Sequence, residues 1–407
     1  MPASIHDTTN EQFLAAQRWW REGDVARSEL ILREIVGRHP AHEEAAMFLA
    51  TLLRNQGRLD AASHAAFDLC RARAFDRDTC LRAARFMQEC QRQGLADELC
   101  REVLARGGVT AEMWVVAGHV AREIGDFERA RACYVAALEA GVDLEGHAVL
   151  GALGRTLRYG DPTHPDFARF IRHFGDSTGS PRARAATGFG LAKAYDDIGN
   201  FESAARTLRE ANAMVHAAQP WAAGDWKAFV GSRMRDRVTR TGTAESKDFV
   251  PVFIVGLPRS GTTLAATQLA KFSSARDRGE LRTLRFIADT LIGGRHLGDR
   301  DALIEAKQLY MAHARQDDAP ARWYIDQDPL NFRYLDIAAA MFPQARIVHC
   351  RRNLRDTALS LWGQDFAHPD AGFAYDFGDI AAYARGHDEV MLHWRRVLPL
   401  LIHELDY

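Results

Sequence analysis

The chain has 407 residues, enough for two or three domains that each bury a core. Its formal charge is −2 at pH 7, so no overall field draws it to nucleic acid or to an anionic membrane, and any anion site has to be local. Its six cysteines form no Cys-x-x-Cys pair and read as reduced core thiols, its sixteen histidines show no metal-ligand spacing, and no apolar run is long enough to span a bilayer. The segment Met1 to Asn10 lacks the basic-then-apolar pattern of an export signal, which makes the cytoplasm the expected compartment.

From the N-terminus the chain reads as paired helices. Gly23 and Gly57 stand 34 residues apart, each closing one apolar helical stretch and opening another. The best copy of the pattern is Trp114, Ala117, Gly118, Gly125, Phe127, Ala130, Tyr134, Ala137, and a second is Leu191, Ala192, Tyr195, Gly199, Phe201, Ala204, Leu208, Ala211. Small residues such as Gly118 and Ala130 let antiparallel helices approach closely, and the aromatics of this half read as repeat core. Gly94 marks a third unit, and 141–179, broken by Asp161-Pro162 and His164-Pro165, is irregular. The period resembles that of tetratricopeptide repeats and predicts about five helical hairpins over 8–215. The resemblance implies a groove for a peptide or protein partner. A helical or linker segment follows over 216–248, ending in the polar, turn-rich stretch Thr239 to Lys247.

Chemistry concentrates in the rest. Phe249 to Val255 is a β-branched apolar run, the mark of a strand buried on both faces of a parallel sheet. It runs into Gly256-Leu-Pro-Arg259-Ser260-Gly261-Thr262-Thr263, which keeps the glycine spacing of a phosphate-cradling loop but has Thr262 where the P-loop lysine would stand. A loop without that lysine suits a ligand with fewer 5′ charges than a nucleoside triphosphate, and this disfavours an ATP-dependent kinase. Arg259 supplies a cation instead. Leu264 to Phe272 reads as a helix, Arg322 to Ile325 and Arg346 to His349 as strands, and Leu335 to Met341, Leu354 to Trp362 and Ile380 to Val397 as helices, with a last strand over Leu400 to Tyr407. Strands alternating with helices predict a mainly parallel sheet, with ligands beyond the strands' carboxyl ends. Arg352 leaves a strand end and Ser360 follows eight residues later, a spacing at which both reach one phosphate; each is equally readable as a surface group.

Three stretches together resemble sulfotransferases that use 3′-phosphoadenosine-5′-phosphosulfate (PAPS), and joined to the repeats they resemble the bacterial tetratricopeptide-repeat sulfotransferases. The first is Pro258-Arg-Ser-Gly-Thr-Thr263, similar to the family's 5′-phosphosulfate loop, which assigns Arg259, Ser260, Gly261, Thr262 and Thr263 to the donor. The second is the Arg352 and Ser360 pair, similar to the 3′-phosphate site. The third is Arg278-Gly279-Glu280-Leu281, where Glu280, seventeen residues after Thr263, matches the proposed general base of tyrosylprotein-type relatives. The implied activity is metal-free transfer of a sulfuryl group from PAPS to a hydroxyl of protein tyrosine, carbohydrate or small molecule, leaving 3′-phosphoadenosine-5′-phosphate (PAP).

The resemblance fails in three places. Tyr324-Ile-Asp-Gln327-Asp-Pro matches a segment whose family lysine stabilises the transition state, so Gln327 takes the catalytic position. Losing such a charge typically costs about 2.7 to 4 kcal/mol, or roughly 10²- to 10³-fold in rate. Phe272-Ser273-Ser274 replaces the usual Ser-His-Pro, and relatives continue past the residue matching Tyr407 with segments that close over the nucleotide, so either a fragment or an unusual adenosine side is expected. A slow enzyme, a different catalytic cation such as Arg259, and a repeat scaffold with a nucleotide-binding but inactive domain stay open. The expected fold is therefore multidomain: an all-α tetratricopeptide-like solenoid, then over 249–407 an α/β P-loop-like parallel-sheet domain.

Overall fold

The computed structural model describes residues 5–235, 248–366 and 369–407. They divide into two compact units, Met1–Arg169 with Gln316–Asp318, and Phe170–Arg315 with Ala319–Tyr407. The polar stretch Thr239 to Lys247 lies outside the described residues.

Helices pair in sequence: α1 (Ile5–Arg21) with α2 (Val25–Arg38), α3 (Glu43–Asn55) with α4 (Leu59–Ala72), α5 (Arg77–Glu89) with α6 (Gln93–Arg106), and α7 (Ala111–Glu123) with α8 (Phe127–Glu139). Short α9 (Val149–Leu153) and α10 (Pro165–Gly175) fill the irregular stretch, and α11 (Pro181–Asp197) pairs with α12 (Phe201–Ala218) as a fifth hairpin. Three of the five hairpin turns share one chemistry. Gly23, Gly125 and Gly199 take φ of 87°, 84° and 76°, and the next residue caps the following helix: Asp24 accepts from the Arg27 N–H at 3.0 Å, Asp126 from Arg129 at 3.1 Å and Asn200 from Ser203 at 3.1 Å. The third hairpin departs from the expectation. Gly94 lies inside α6, and the left-handed position of that turn is Gln91, φ 57°. Gly118 is required for packing, since a methyl there would sit 2.5 Å from the Tyr134 ring. Phe127 and Phe201 do not join the repeat core as expected; each begins a helix and stands exposed.

After α13 (Ala223–Arg235) comes a five-stranded, wholly parallel sheet, β1 (Val250–Gly256), β2 (Ala275–Asp277), β3 (Trp323–Asp326), β4 (Arg346–Arg351) and β5 (Leu401–Asp406), in the order β2-β3-β1-β4-β5. Every residue of β1 is buried, and each large apolar side chain so enclosed contributes about 1.5–3 kcal/mol. Val252 pairs with Ile325 of β3 and with Arg346 of β4. The connections leave β1 for β2 and β3 on one side and β4 and β5 on the other, which opens a crevice at the carboxyl ends beside β1. The crossovers are α14 (Thr262–Leu269), α15 (Thr283–Gly293), α16 (Arg300–Arg315), α17 (Leu335–Met341), α18 (Leu354–Trp362) and α19 (Phe377–Val397). Strand β2 and helices α15 and α16 were not anticipated. The α11–α12 hairpin counts with this unit: buried Asn212 donates to the Trp362 carbonyl at 2.9 Å, and His216 meets Asp379 at 2.9 Å.

Candidate active site

At the carboxyl end of β1 the chain turns sharply. A methyl on Gly256 would lie 2.5 Å from the Cys350 carbonyl oxygen and 2.8 Å from Ser260 Oγ, so only glycine lets β4 and the loop come this close. Ser260 N–H donates to the Leu257 carbonyl at 3.1 Å, Arg259 is held at φ 72°, and Gly261 opens α14 at φ 96° without a side-chain cap. The first amides of α14 therefore lack the side-chain acceptor that would otherwise satisfy a helix start. Ser260 Oγ is buried with no hydrogen-bond partner among the described residues. Thr262 is buried and Thr263 exposed.

The structure brings Arg352 and Ser360, paired by their spacing in the sequence, up to this loop. Arg352 Nη1 donates to the Arg259 carbonyl at 3.2 Å, and Arg259 Nε donates to Ser360 Oγ at 3.0 Å. Arg352 sits where β4 ends, and Ser360 is on α18, whose start Asn353 caps by accepting the Arg355 N–H at 2.9 Å. A turn from one strand and a helix from the next thus place two guanidiniums and a hydroxyl around one loop. The Arg352 guanidinium also lies over the Tyr407 ring, 5.4 Å from its centroid.

Glu280 and Gln327 come from the other side of β1. The turn after β2 is stitched to the end of β3 by three bonds: Arg278 N–H to the Ile325 carbonyl at 2.9 Å, Gln327 N–H to the Gly279 carbonyl at 2.9 Å, and Leu281 N–H to Asp326 Oδ1 at 3.2 Å. Asp326 is fully buried and also accepts from Tyr310 Oη at 2.9 Å and the Asp328 N–H at 3.2 Å. Burial, then the Asp328 carboxylate, push its pKa up to about 8 against those donors. Glu280 lines a recess of about 180 Å³ with Pro258 of the loop, Arg282, Asp328 and Arg333. Its surface is open to solvent, yet desolvation in the recess and then Asp328 raise its pKa, opposed by Arg282. Gln327 does not line that recess, and its Oε1 is buried without a partner among the described residues. Arg282 and Asp326 were not singled out from the sequence. The signals were a cation two residues after Glu280 and a carboxylate closing a strand.

Residues 251–407 match the Sulfotransferase family, and residues 111–140 match the Tetratricopeptide repeat. The second unit carries a sulfotransferase-family domain. A protein of Aquifex aeolicus (strain VF5), described as uncharacterized, is 30% identical over 251 residues, 56% of this chain and 32% of that relative, so the matched part spans about a third of the relative's length. Among solved structures, the MamA protein is similar at 13% identity and TM-score 0.31, covering 54% of this chain and 98% of its own. A tetratricopeptide repeat protein from Parabacteroides merdae ATCC 43184 is similar at 16% identity and TM-score 0.33, covering 55% and 92%. In the sulfotransferase-family domain and the helical array alike, no group of three or more His, Cys, Asp or Glu among the described residues is placed to hold a metal ion. No helix among them is long and apolar enough to cross a membrane.

Proposed function

We propose that the sulfotransferase-family domain transfers a sulfuryl group from PAPS to an acceptor hydroxyl. The observation that carries this reading is the meeting of Arg259, Arg352 and Ser360 at a glycine loop that has uncapped helix amides and no lysine. PAPS, when bound, supplies an activated sulfuryl group on a phosphate leaving group. The residues fit it: Arg259 to Thr263 offer amides, the orphaned Ser260 hydroxyl and a guanidinium to the 5′ end, and Arg352 with Ser360 the 3′-phosphate. Glu280, with its raised pKa, takes the proton of the acceptor hydroxyl as that oxygen bonds to sulfur. Arg259 and the loop amides stabilise the charge left on the departing phosphate oxygen. Gln327, as an amide, offers one further hydrogen bond there. The helical array, as tetratricopeptide repeats typically do, would hold a protein or peptide partner.

PAP binding by calorimetry tests the donor site. Arg352→Ala is expected to weaken it by about tenfold to a hundredfold, the worth of a charge-assisted hydrogen bond; unchanged affinity sinks the 3′-phosphate assignment. Gln327, standing where the resembling family has lysine, favours a second reading, a scaffold whose domain binds nucleotide without turning it over. Radiolabelled PAPS offered with tyrosyl peptides and hydroxylated small molecules separates the two. Silence from both wild type and Gln327→Lys, with PAP still bound, selects the scaffold.

A further inference from the structure

Helices α15 and α16 enclose a trough of about 530 Å³ on the second unit. Its floor is Ile287 and Leu291, one helical turn apart on α15, and Ala306 on α16, all buried members of the unit's main core, with Ala302 and Leu309 half-buried beside them. Phe286 stands on the α15 lip and is 61% exposed. A lone exposed aromatic means little, but this one borders a continuous apolar floor. The other lip is acidic. Asp299, Asp301 and Glu305 line it, with His296 Nδ1 3.7 Å from the Asp299 carboxylate, and among the described residues no lysine or arginine lines the trough. Asp299 is engaged in capping α16, accepting the Asp301 N–H at 2.9 Å and the Ala302 N–H at 3.2 Å. The carboxylates of Asp301 and Glu305, four residues apart and so on one face, have no hydrogen bond or ion pair among the described residues.

We propose that this trough docks a basic amphipathic helix of a partner protein. The partner's apolar stripe covers the floor and Phe286, and its Lys or Arg side chains run along Asp301 and Glu305, which fixes its register. A third helix laid on a helix pair completes a small bundle at an ordinary interaxial distance of about 8–10 Å. Charge selects this occupant over the others. Two copies of the chain packed through the same face would bring acidic lip near acidic lip, and an anionic membrane surface would be repelled by it. The site does not depend on the sulfuryl-transfer reading.

Fluorescence anisotropy with the full chain tests it, using two labelled synthetic amphipathic helices as probes, one built of Leu and Lys and the other of Leu and Glu. The Leu/Lys peptide is expected to bind saturably and about tenfold or more tighter than its acidic counterpart, and more weakly as salt rises. Phe286→Asp, at an exposed position, should weaken it about tenfold, and Asp301→Lys with Glu305→Lys should reverse the preference between the two peptides. Equal binding of both peptides, or affinities unmoved by either variant, overturns the proposal. So does concentration-dependent self-association in sedimentation that Phe286→Asp abolishes, because that gives the trough to a second copy of the chain. Circular dichroism of both variants checks that the helices persist.

Discussion

Glu280 is proposed as the base, and its surroundings suit a carboxylate to that task. Desolvation in the recess and the nearby Asp328 raise its pKa, which strengthens its pull on a hydroxyl proton but keeps it protonated further up the pH scale. The base form therefore grows as pH rises through the raised value, and kcat/KM for sulfuryl transfer should climb over the same interval. Glu280→Gln is expected to remove that limb and most of the turnover while leaving PAP affinity nearly intact; a pH–rate profile that keeps the limb in the variant gives the proton to another group. Glu280 was legible only through the family resemblance, because the strand before it, β2, was not anticipated, while Arg259, Arg352 and Ser360 were legible as neighbours, because each follows an announced strand and the parallel topology brings strand ends together. Asp326 was not, since its partners Tyr310, Leu281 and Asp328 come from a helix and two turns whose meeting no local spacing records. The left-handed Arg259 was equally hidden between the two glycines of its loop.

Among the elements, β3 has the unusual task of ending in a buried carboxylate that ties two turns together. A group protonated in the folded chain up to about pH 8, but only to about pH 4 when unfolded, makes the folded state bind the extra proton between those values. Stability contributed by Asp326 is therefore present at the acid end of that window and is lost as pH rises through it. Asp326→Asn should flatten the dependence of the urea midpoint on pH between about 4 and 8; an unchanged slope would place the titration elsewhere. A long apolar run announced β1, the expected strand over Arg346 to His349 is found within β4, and Leu335–Met341 and Leu354–Trp362 follow their predicted limits. Strand β2 escaped because Ala-Arg-Asp has no β-branched run, only the backbone partners that β3 provides. In the helical array Gln91 shows that turn geometry outranks the glycine habit, as a polar residue adopts the left-handed position that Gly23, Gly57, Gly125 and Gly199 take in the other hairpins.

At the scale of the molecule, the fifth hairpin repeats the turn chemistry of the array yet is counted with the sulfotransferase-family domain. Asn212, 2% exposed, holds it there through the Trp362 carbonyl. Asn212→Ala is expected to cost about 1–3 kcal/mol, the penalty of an orphaned buried acceptor. The loss should appear in the thermal transition that PAP raises, because a ligand stabilises the unit that binds it; a shift confined to a PAP-insensitive transition would detach the hairpin from that domain. One consequence reaches the whole chain from the φ of 72° at Arg259, a conformation costing a residue with a side chain about 1–2 kcal/mol. Arg259→Gly should relieve that tension and raise the melting temperature while surrendering the guanidinium, so selection for heat resistance alone would drift toward a hardier chain without the cation proposed to hold the donor.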